Sequence, residues 1–308
     1  MAKKLPSVET RASWQAYRKK WEKGPIKQGI YGAKSKKWGF FYKIVAILYK
    51  LVKKTFLIKR LQKNAQNPKL TYADFVLKDL PTSFAGYTIL HITDLHLDAQ
   101  KGLSKRVSDK IAHLKVDLVI MTGDYQDAFE LDPNENKEAL KTLFKVLNAK
   151  DGIVCTLGNH DSYKAAAMLE SLGAKVLINE TMRIDRGGES LFLTGLDDVH
   201  YFFSDSSLSA LDAKVDGFKI LAVHSPEIYK YAEKSGYKLY FAGHTHGGQV
   251  CLPFGIPLVT HARVKRRMVR GKWRFKRLMG YTNRGAGTSG FPMRLNCPGE
   301  VLLARLRN

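Results

Sequence analysis

Cysteine is scarce in this chain of 308 residues: Cys155, Cys251 and Cys297 are the only three, and none belongs to a Cys-x-x-Cys pair. So few and so scattered cysteines exclude a disulfide framework, and we expect the three thiols to be reduced and structural. The first twenty residues also lack an apolar h-region after their basic positions, so they do not predict a secretory signal. We therefore expect a cytoplasmic protein.

Acidic residues are nearly absent from the N-terminal part of the chain. Residues 1–70 contain nineteen Lys or Arg but only two acids, Glu9 and Glu22, whereas the whole chain has 51 Lys or Arg, 28 acids and a formal charge of +23. Long apolar runs are missing there too. The longest uncharged stretch between residues 38 and 61, Ile44 to Tyr49, is far shorter than the roughly 20 residues that span a bilayer. A membrane-spanning helix is therefore not predicted in this region.

The N-terminal segment is predicted to contain two parts. Residues 1–37 indicate a basic flexible arm, and residues 38–63 an amphipathic helix on a membrane surface. At about 100° per residue, Lys36, Lys43, Lys50 and Lys54 share one face. The opposite face is apolar and is predicted to meet lipid through Phe41, Ile44, Val45, Leu48 and Val52. Anionic lipid attracts each nearby Lys or Arg by about 1 kcal/mol, which favours peripheral association with the cytoplasmic side of the inner membrane. The alternative is a helix packed on the catalytic domain, with its lysines facing water.

The rest of the chain is predicted to be one α/β domain. Residues 64–70 indicate a linker and residues 71–308 the domain. Strand-like runs at 87–92, 116–121, 152–157 and 175–178 alternate with helix-like segments at 104–114, 134–147 and 162–171, and a hairpin at 182–195, a helix at 206–213 and strands at 217–223 and 237–242 follow. This alternation of strands and helices along the chain is typical of layered α/β folds. Two successive strand systems favour a pair of stacked sheets flanked by helices.

Metal-binding side chains follow five of the predicted strands. They occur as Asp94-x-His96, Gly-Asp124, Gly-Asn159-His160-Asp161, a solitary His224, and Gly-His244-Thr-His246. In α/β folds, functional sites lie at the carboxyl ends of the strands. One such pair often occurs by chance, but metal-binding side chains at five successive strand ends indicate a metal centre.

This set of motifs resembles the calcineurin-like metallophosphoesterase family, over roughly residues 85–308. The resemblance implies a four-layer αββα sandwich of two mixed β-sheets with two divalent metal ions at the sheet edge. It also implies that Asp94, His96 and His246 hold one ion, that Asn159, His224 and His244 hold the other, and that Asp124 bridges them.

The residue types agree with that implication. Two neighbouring cations need a shared carboxylate, a role that suits Asp124, and the ions would activate a water for attack on phosphorus. The mixture of imidazole, carboxylate and amide suits Mn²⁺, our choice, or Zn²⁺, Fe²⁺ or Co²⁺. We predict that His160 protonates the leaving oxygen or stabilises developing charge. A hydrogen bond that merely shapes the loop is its alternative role. Asp161 is a candidate for orienting His160, and His91 is expected to be a core or supporting histidine.

Two further regions bear on the substrate. Residues 263–277 contain nine Lys or Arg and no acid, and a strand there would place Lys272, Arg274 and Lys276 on one face, opposite Trp273 and Phe275. This stretch is either a second surface for anionic groups or a solvated hairpin. Arg284 is a candidate phosphate contact.

The leading functional hypothesis is a hydrolase of a phosphodiester or diphosphate bond in a lipid-linked substrate. Membrane-associated bacterial members of the family that resemble this chain include enzymes that cleave UDP-2,3-diacylglucosamine to lipid X and UMP in lipid A biosynthesis. The alternative is a general phosphodiesterase or nuclease acting on nucleic acid or cell-envelope phosphodiesters. Nucleic acid is not the expected partner, because binding to its backbone requires cations but no apolar helix face. A non-catalytic scaffold would lack ligands, and none is missing.

Overall fold

The computed structural model describes residues 3–5, 9–23, 28–29, 32–33, 49–50, 53–55 and 57–308 of the chain. Two mixed β-sheets form the centre of the described structure. The six-stranded sheet has the order β4 (Lys69–Val76), β15 (Glu300–Arg307), β5 (Thr88–Ile92), β6 (Leu118–Thr122), β7 (Ile153–Thr156) and β8 (Lys175–Val176). Strands β5 to β8 are parallel, while β15 is parallel to β4 and antiparallel to β5.

The seven-stranded sheet is the second layer of strands. Its order is β1 (Lys3–Lys4), β9 (Glu180–Arg186), β10 (Glu189–Gly195), β11 (Phe218–Ala222), β12 (Leu239–Ala242), β14 (Leu278–Thr282) and β13 (Gly271–Phe275). Strands β10, β11, β12 and β14 are parallel, and the others pair antiparallel. A short separate pair, β2 (Gln28–Gly29) and β3 (Gly32–Ala33), is antiparallel.

Helices cover the outer faces of both sheets. They are α1 (Arg11–Glu22), α2 (Leu57–Gln66), α3 (Leu103–Ile111), α4 (Lys137–Phe144), α5 (Lys164–Ser171), α6 (Asp205–Leu211) and α7 (Tyr229–Lys234). Side chains of β5 alternate, so that Leu90 and Ile92 pack under the helices α3 to α5 while Ile89 packs between the sheets. On the other sheet, Leu221 of β11 packs under α6 and α7. The predicted α/β fold of two mixed sheets between helices is confirmed.

The N-terminal arm contains a docked helix that the sequence analysis did not predict. Thr10 caps α1 by accepting a hydrogen bond from the backbone amide of Ser13 at 3.1 Å. Trp14 is buried, and its Nε1–H donates to Asp197 Oδ2 at 2.7 Å. Arg18 is also buried, with its guanidinium 3.5 Å from the ring centre of Phe202. The prediction of a flexible arm over residues 1–37 is therefore wrong for residues 11–22, because these contacts hold the helix on the domain.

The segment 38–63 is not one continuous helix in the part of the chain that the structure describes. Residues 53–55 form a turn, and α2 begins at Leu57 and continues to Gln66, through the first three residues of the predicted linker 64–70. The reason is tertiary packing, since α2 buries Leu61 and Ala65 against the domain. The predicted lipid-facing residues Phe41, Ile44, Val45, Leu48 and Val52 lie outside the described residues. Among the described helices, none has the length and apolar character that crossing a membrane requires.

Candidate metal centre

The predicted ligands converge where the carboxyl ends of β5, β6, β7, β11 and β12 meet. Two groups of side chains each have donor atoms within 4.8 Å of one another: Asp94, His96 and His246 form the first, and Asp124, His224 and His244 form the second. All six side chains are buried. The first is the group that the resemblance implied, and the second contains the implied ligands His224 and His244 together with the predicted bridging residue Asp124. Their metal binding stays a prediction.

Asp124 lies between the two groups. Its Oδ2 is 3.1 Å from Nε2 of His224 in the second group and 3.6 Å from Nε2 of His96 in the first. Its Oδ1 accepts a hydrogen bond from the backbone amide of His160 at 2.9 Å. One carboxylate thus contacts both groups, which is the position that a bridging ligand requires.

Glycines let the strand ends approach this closely. A Cβ atom on Gly158 would overlap the carboxylate of Asp124, and one on Gly243 would overlap the side chains of Asp94 and Thr93. The ligands themselves adopt strained backbone conformations. Five of them have positive φ angles, namely Asp94 (52°), His96 (42°), Asp124 (55°), His244 (69°) and His246 (49°). Each such residue costs about 1–3 kcal/mol, and such strain is concentrated at functional sites.

The donor set fits divalent ions. Nε2 of His96 is 3.2 Å from Nε2 of His246, and Nδ1 of His244 is 3.2 Å from Nε2 of His224. Nitrogens that share one ion at about 2.1 Å each lie about 3 Å apart when they subtend a right angle. The Oδ1 atom of Asn159 is buried without a hydrogen-bond partner in the described structure. A buried amide oxygen in that state costs free energy unless it is bound by a cation, so Asn159 fits its predicted role.

Supporting contacts orient two of the imidazoles. Nδ1–H of His224 donates to the carbonyl of Thr122 at 2.7 Å, which leaves Nε2 directed at Asp124. The Nδ1 atom of His96 lies 3.1 Å from Oδ1 of Asp127, which leaves its Nε2 beside His246. The sequence analysis did not predict the role of Asp127, which follows Asp124 in the same loop.

The protonation of His224 predicts a pH dependence for metal binding. Burial by itself lowers the pKa of His224, but the carboxylates of Asp124 and Asp94 raise it to about 10. In metal-free protein at pH 7.5 the His224 imidazole is therefore protonated at Nε2, and a metal ion must displace that proton before it can bind this nitrogen. Metal affinity is expected to fall as the pH falls, with release of about one proton per chain at pH 7.5. Calorimetry of Mn²⁺ binding in two buffers of different ionisation enthalpy measures this release. Identical heats in both buffers would contradict it.

His160 is held at the edge of the centre. Its Nδ1 lies 2.5 Å from the carbonyl oxygen of Asp127 and must donate there, because a carbonyl only accepts. Its Nε2 is the nitrogen that remains for proton exchange. The ring centres of His160 and His96 are 5.2 Å apart, so the predicted proton donor lies beside the first group of ligands without belonging to it.

The structure corrects the predicted role of Asp161. Its carboxylate accepts hydrogen bonds from three backbone amides: Gly158 and Asp124 at 2.8 Å and Tyr125 at 2.9 Å. It therefore ties together the loops after β6 and β7 rather than orienting His160. Arg18 of α1 donates to the carbonyl of Asp161 at 2.5 Å, so the docked N-terminal helix supports the same loop.

Two further contacts beside the centre were also missed by the sequence analysis. Nδ1 of His200 is 2.7 Å from Oε2 of Glu227, and the His200 ring centre is 4.5 Å from that of His244. Arg294 is fully buried and donates to the carbonyl of His246 at 3.1 Å. For His200 a signal existed, because it follows the apolar run of β10 in the sequence LFLTGLDDVH, the same pattern of a strand followed by polar residues.

Three other predicted residues have structural partners. Arg284 makes a two-point ion pair with Glu300, at 3.1 and 3.2 Å. Its predicted phosphate contact stays a prediction. His91 lies in the core between the sheets, where Nε2 contacts Thr122 Oγ1 at 2.9 Å and burial lowers its pKa to about 3. In β13, Lys272 is exposed and Trp273 buried, which confirms the predicted alternation.

Substituting Gly158 with alanine is expected to disturb the centre. Because the added Cβ would displace the Asp124 carboxylate, we expect Mn²⁺ affinity to fall about 10- to 100-fold. The matched control is Gly152→Ala, where no atom lies within 4 Å and only a φ of +94° is strained. The control should lose stability but keep its Mn²⁺ affinity, as measured by titration calorimetry. Equal affinities in the two variants would contradict the close approach.

A site of this kind, at the edge of two stacked sheets, defines a metal-dependent phosphoester hydrolase. The chain belongs to the calcineurin-like phosphoesterase family, whose family model matches residues 87–248. That match includes all seven predicted ligands. The family uses divalent metals, which agrees with the donor set.

Two bacterial relatives agree with this assignment. The chain is 30% identical to the metallophosphoesterase YkuE of Bacillus subtilis (strain 168), over 74% of this chain and 82% of the relative. It is 30% identical to the phosphodiesterase YaeI of Escherichia coli (strain K12), over 72% and 83%. A Danio rerio transmembrane protein with metallophosphoesterase domain is 27% identical over 77% of this chain and 57% of its own length. A solved dimetal phosphatase from Danio rerio has a TM-score of 0.38 at 11% identity, over 66% and 88%.

Proposed function

We propose that the protein hydrolyses a phosphodiester or diphosphate bond of a lipid-linked substrate at an anionic membrane surface, on the cytoplasmic side of the inner membrane. The observation that carries hydrolysis is the convergence of the two ligand groups on one carboxylate, Asp124. When bound, divalent ions, Mn²⁺ in our proposal, supply Lewis acidity toward the phosphoryl oxygens and lower the pKa of a water.

The protein's own side chains supply the remaining chemistry. Asp124 offers a carboxylate and His96 an imidazole nitrogen, and these two groups would hold the ions. His160 donates Nδ1–H to the carbonyl of Asp127 and thereby presents Nε2 to the oxygen that leaves. Burial of the ligands excludes bulk water, which strengthens these electrostatic interactions.

The lipid-linked substrate is supported by a contact of Tyr49, which lies within the predicted amphipathic segment 38–63. The ring centre of Tyr49 is 4.9 Å from that of Phe291. The neighbouring residue Gly290 donates its amide to Asp127 at 3.4 Å, and Asp127 contacts His96. A chain of contacts thus leads from this segment to the metal centre. The Danio rerio relative named as a transmembrane protein is consistent with work at a membrane.

The substrate that we propose is UDP-2,3-diacylglucosamine, which joins a diphosphate to acyl chains. Hydrolysis of its P–O–P linkage by one water yields UMP and lipid X, a step of lipid A biosynthesis. The test compares Mn²⁺-dependent turnover of this compound, of a soluble aryl phosphodiester and of single-stranded DNA by the purified chain. We expect the lipid-linked compound to have the highest kcat/KM, because acyl-chain binding adds to phosphate binding.

Each substrate tests a different functional hypothesis. Preference for single-stranded DNA would favour the nuclease alternative, which the charge of +23 allows. Turnover of the aryl diester without turnover of the lipid-linked compound would retain a general phosphodiesterase and reject the lipid substrate. Fractionation of cell membranes adds a physical readout, because salt alone releases a nucleic-acid binder, whereas a lipid-embedded segment also requires detergent.

A further inference from the structure

Exposed apolar side chains concentrate in one loop beside the metal centre. Of the nine large apolar side chains that are exposed in the described structure, four lie within seven residues: Leu252 (47%), Phe254 (96%), Ile256 (42%) and Leu258 (53%). A fifth, Leu295 (37%), joins the base of the loop through its backbone. Clusters of exposed apolar side chains mark interaction sites rather than ordinary surface.

The tip of this loop is built to hold Phe254 in solvent. The backbone amide of Leu252 donates to the carbonyl of Ile256 at 2.9 Å, and that of Gly255 donates to Leu252 at 3.0 Å. Phe254 itself has a φ of 61°, an unfavourable conformation for a residue with a bulky side chain. A strained backbone that exposes an aromatic ring indicates a functional constraint.

The base of the loop is rigidly attached to the site. The amide of Cys251, which is buried, donates to the carbonyl of Leu295 at 2.9 Å, and the amide of Leu295 donates to Gln249 at 3.1 Å. Leu252, the first residue of the loop, follows the predicted ligand His246 by six positions. Any surface that the loop contacts is therefore brought to the metal centre.

The stretch of chain that contains the apolar tip is basic. Residues 249–277 contain nine Lys or Arg and no acid. One of them, Arg270, donates to the carbonyl of Phe254 at 3.4 Å. Helix α2 contributes exposed Lys59, Arg60 and Lys63 and also contains no acid. It adjoins the base of the loop, because the amide of Arg294 donates to the carbonyl of Leu61 at 3.1 Å.

We infer that the loop 252–258, Leu295 and α2 form a docking surface that seats the folded domain on an anionic lipid bilayer, with Phe254 inserted among the acyl chains. Apolar insertion bordered by cations is the chemistry of interfacial lipid binding. A nucleic acid would need the cations but not the apolar tip. This inference deepens the proposed function and rests on it for the nature of the surface, but it does not use residues 38–48.

A label at the tip tests insertion directly. The three native cysteines are buried, so Phe254→Cys offers one reactive thiol for an environment-sensitive fluorophore. The matched control is Tyr72→Cys, since Tyr72 is 68% exposed and lies on β4. With phosphatidylglycerol–phosphatidylethanolamine vesicles, the label at position 254 should brighten and be quenched by nitroxide lipids. The label at position 72 should be unchanged, and phosphatidylcholine vesicles should give little response.

Sedimentation with the same vesicles measures the contribution to affinity. Phe254→Ser in the full chain is expected to lower partitioning about tenfold, because the transfer of one aromatic ring is lost, while Tyr72→Ser leaves it unchanged. If the fluorescence of the label at position 254 does not change when the protein binds vesicles, the inference is overturned. Loss of self-association in Phe254→Ser, seen by light scattering, without any change in vesicle binding would also overturn it, because a second copy would then be the occupant.

Failure of the inference and of the proposed function are distinguishable. Turnover of the soluble aryl phosphodiester by Phe254→Ser should equal that of the unmodified chain, because Phe254 is not part of the metal centre. If the label inserts but no lipid-linked substrate is hydrolysed, the docking surface stands and the proposed substrate is rejected. If the lipid-linked substrate is hydrolysed and position 254 stays in water, only the docking surface is rejected.

Discussion

Replacing Asp124 with alanine is expected to abolish both metal binding and hydrolysis. Asp124 Oδ2 contacts His224 and His96, one from each ligand group, so its loss leaves two ions without the charge that screens their repulsion. We expect kcat/KM on a soluble aryl phosphodiester to fall at least about 1,000-fold, because the charge stabilisation that the ions provide is worth several kcal/mol. Metal content per chain, measured by mass spectrometry after gel filtration in Mn²⁺, should fall in parallel.

The control for this variant is Asp109→Ala. Asp109 is an exposed carboxylate of α3 that pairs with Lys105 at 2.9 Å, and its removal should change neither quantity. Thermal unfolding of metal-free samples separates lost binding from lost folding. Retention of two ions per chain by Asp124→Ala would show that Asp124 does not bridge them.

Replacing His160 with alanine is expected to lower turnover while metal is retained. A positioned proton donor contributes about 10²- to 10⁴-fold, and no ligand is removed. The second variant is His160→Asn, whose side-chain amide can occupy the position of Nδ1 and donate to the carbonyl of Asp127. It keeps the hydrogen bond at the loop but lacks Nε2.

The two variants separate the two roles of His160. If proton donation is its function, both should lose turnover on the aryl phosphodiester by similar factors, with two ions still bound. Recovery of full activity in His160→Asn would assign His160 to shaping the loop through Asp127. The leaving group offers a further readout, because substrates with better leaving groups need less protonation and should be less affected in both variants.

The chain's local patterns contained most of the site. Apolar runs that end in glycine followed by Asp, Asn or His locate the ends of β6, β7 and β12, the pair Asp94-x-His96 locates the end of β5, and parallel strands bring those ends to one edge. The structure adds the reason for the glycines. At Gly158 and Gly243 a side chain would overlap the ligands Asp124 and Asp94, so the motif combines a ligand with the space that the neighbouring ligand needs.

The residues that were missed act through contacts distant in sequence. Asp127 contacts His160 thirty-three positions away, and Arg18 contacts Asp161 across 143. Helix α1 did carry a local signal, since Trp14, Arg18 and Trp21 recur at helical spacing. Its many lysines and the glycines that follow nevertheless indicated a flexible arm. Burial of Trp14 against Asp197 holds this helix in place, and no periodicity in the sequence reports that partner.

The positions of many strands and helices, the layer type and the kinds of ligand could thus be predicted from the chain, because period-two apolar runs and turn residues are short-range properties of a polypeptide. Which side chains support the ligands, where α2 starts, and why Arg284 faces Glu300 depended on packing in three dimensions. Those choices are made by burial and charge pairing between segments that are far apart in sequence, and such energies leave no local pattern. The exposure of the Phe254 ring is also decided by the tertiary structure, because only the folded loop shows that this ring stays in solvent.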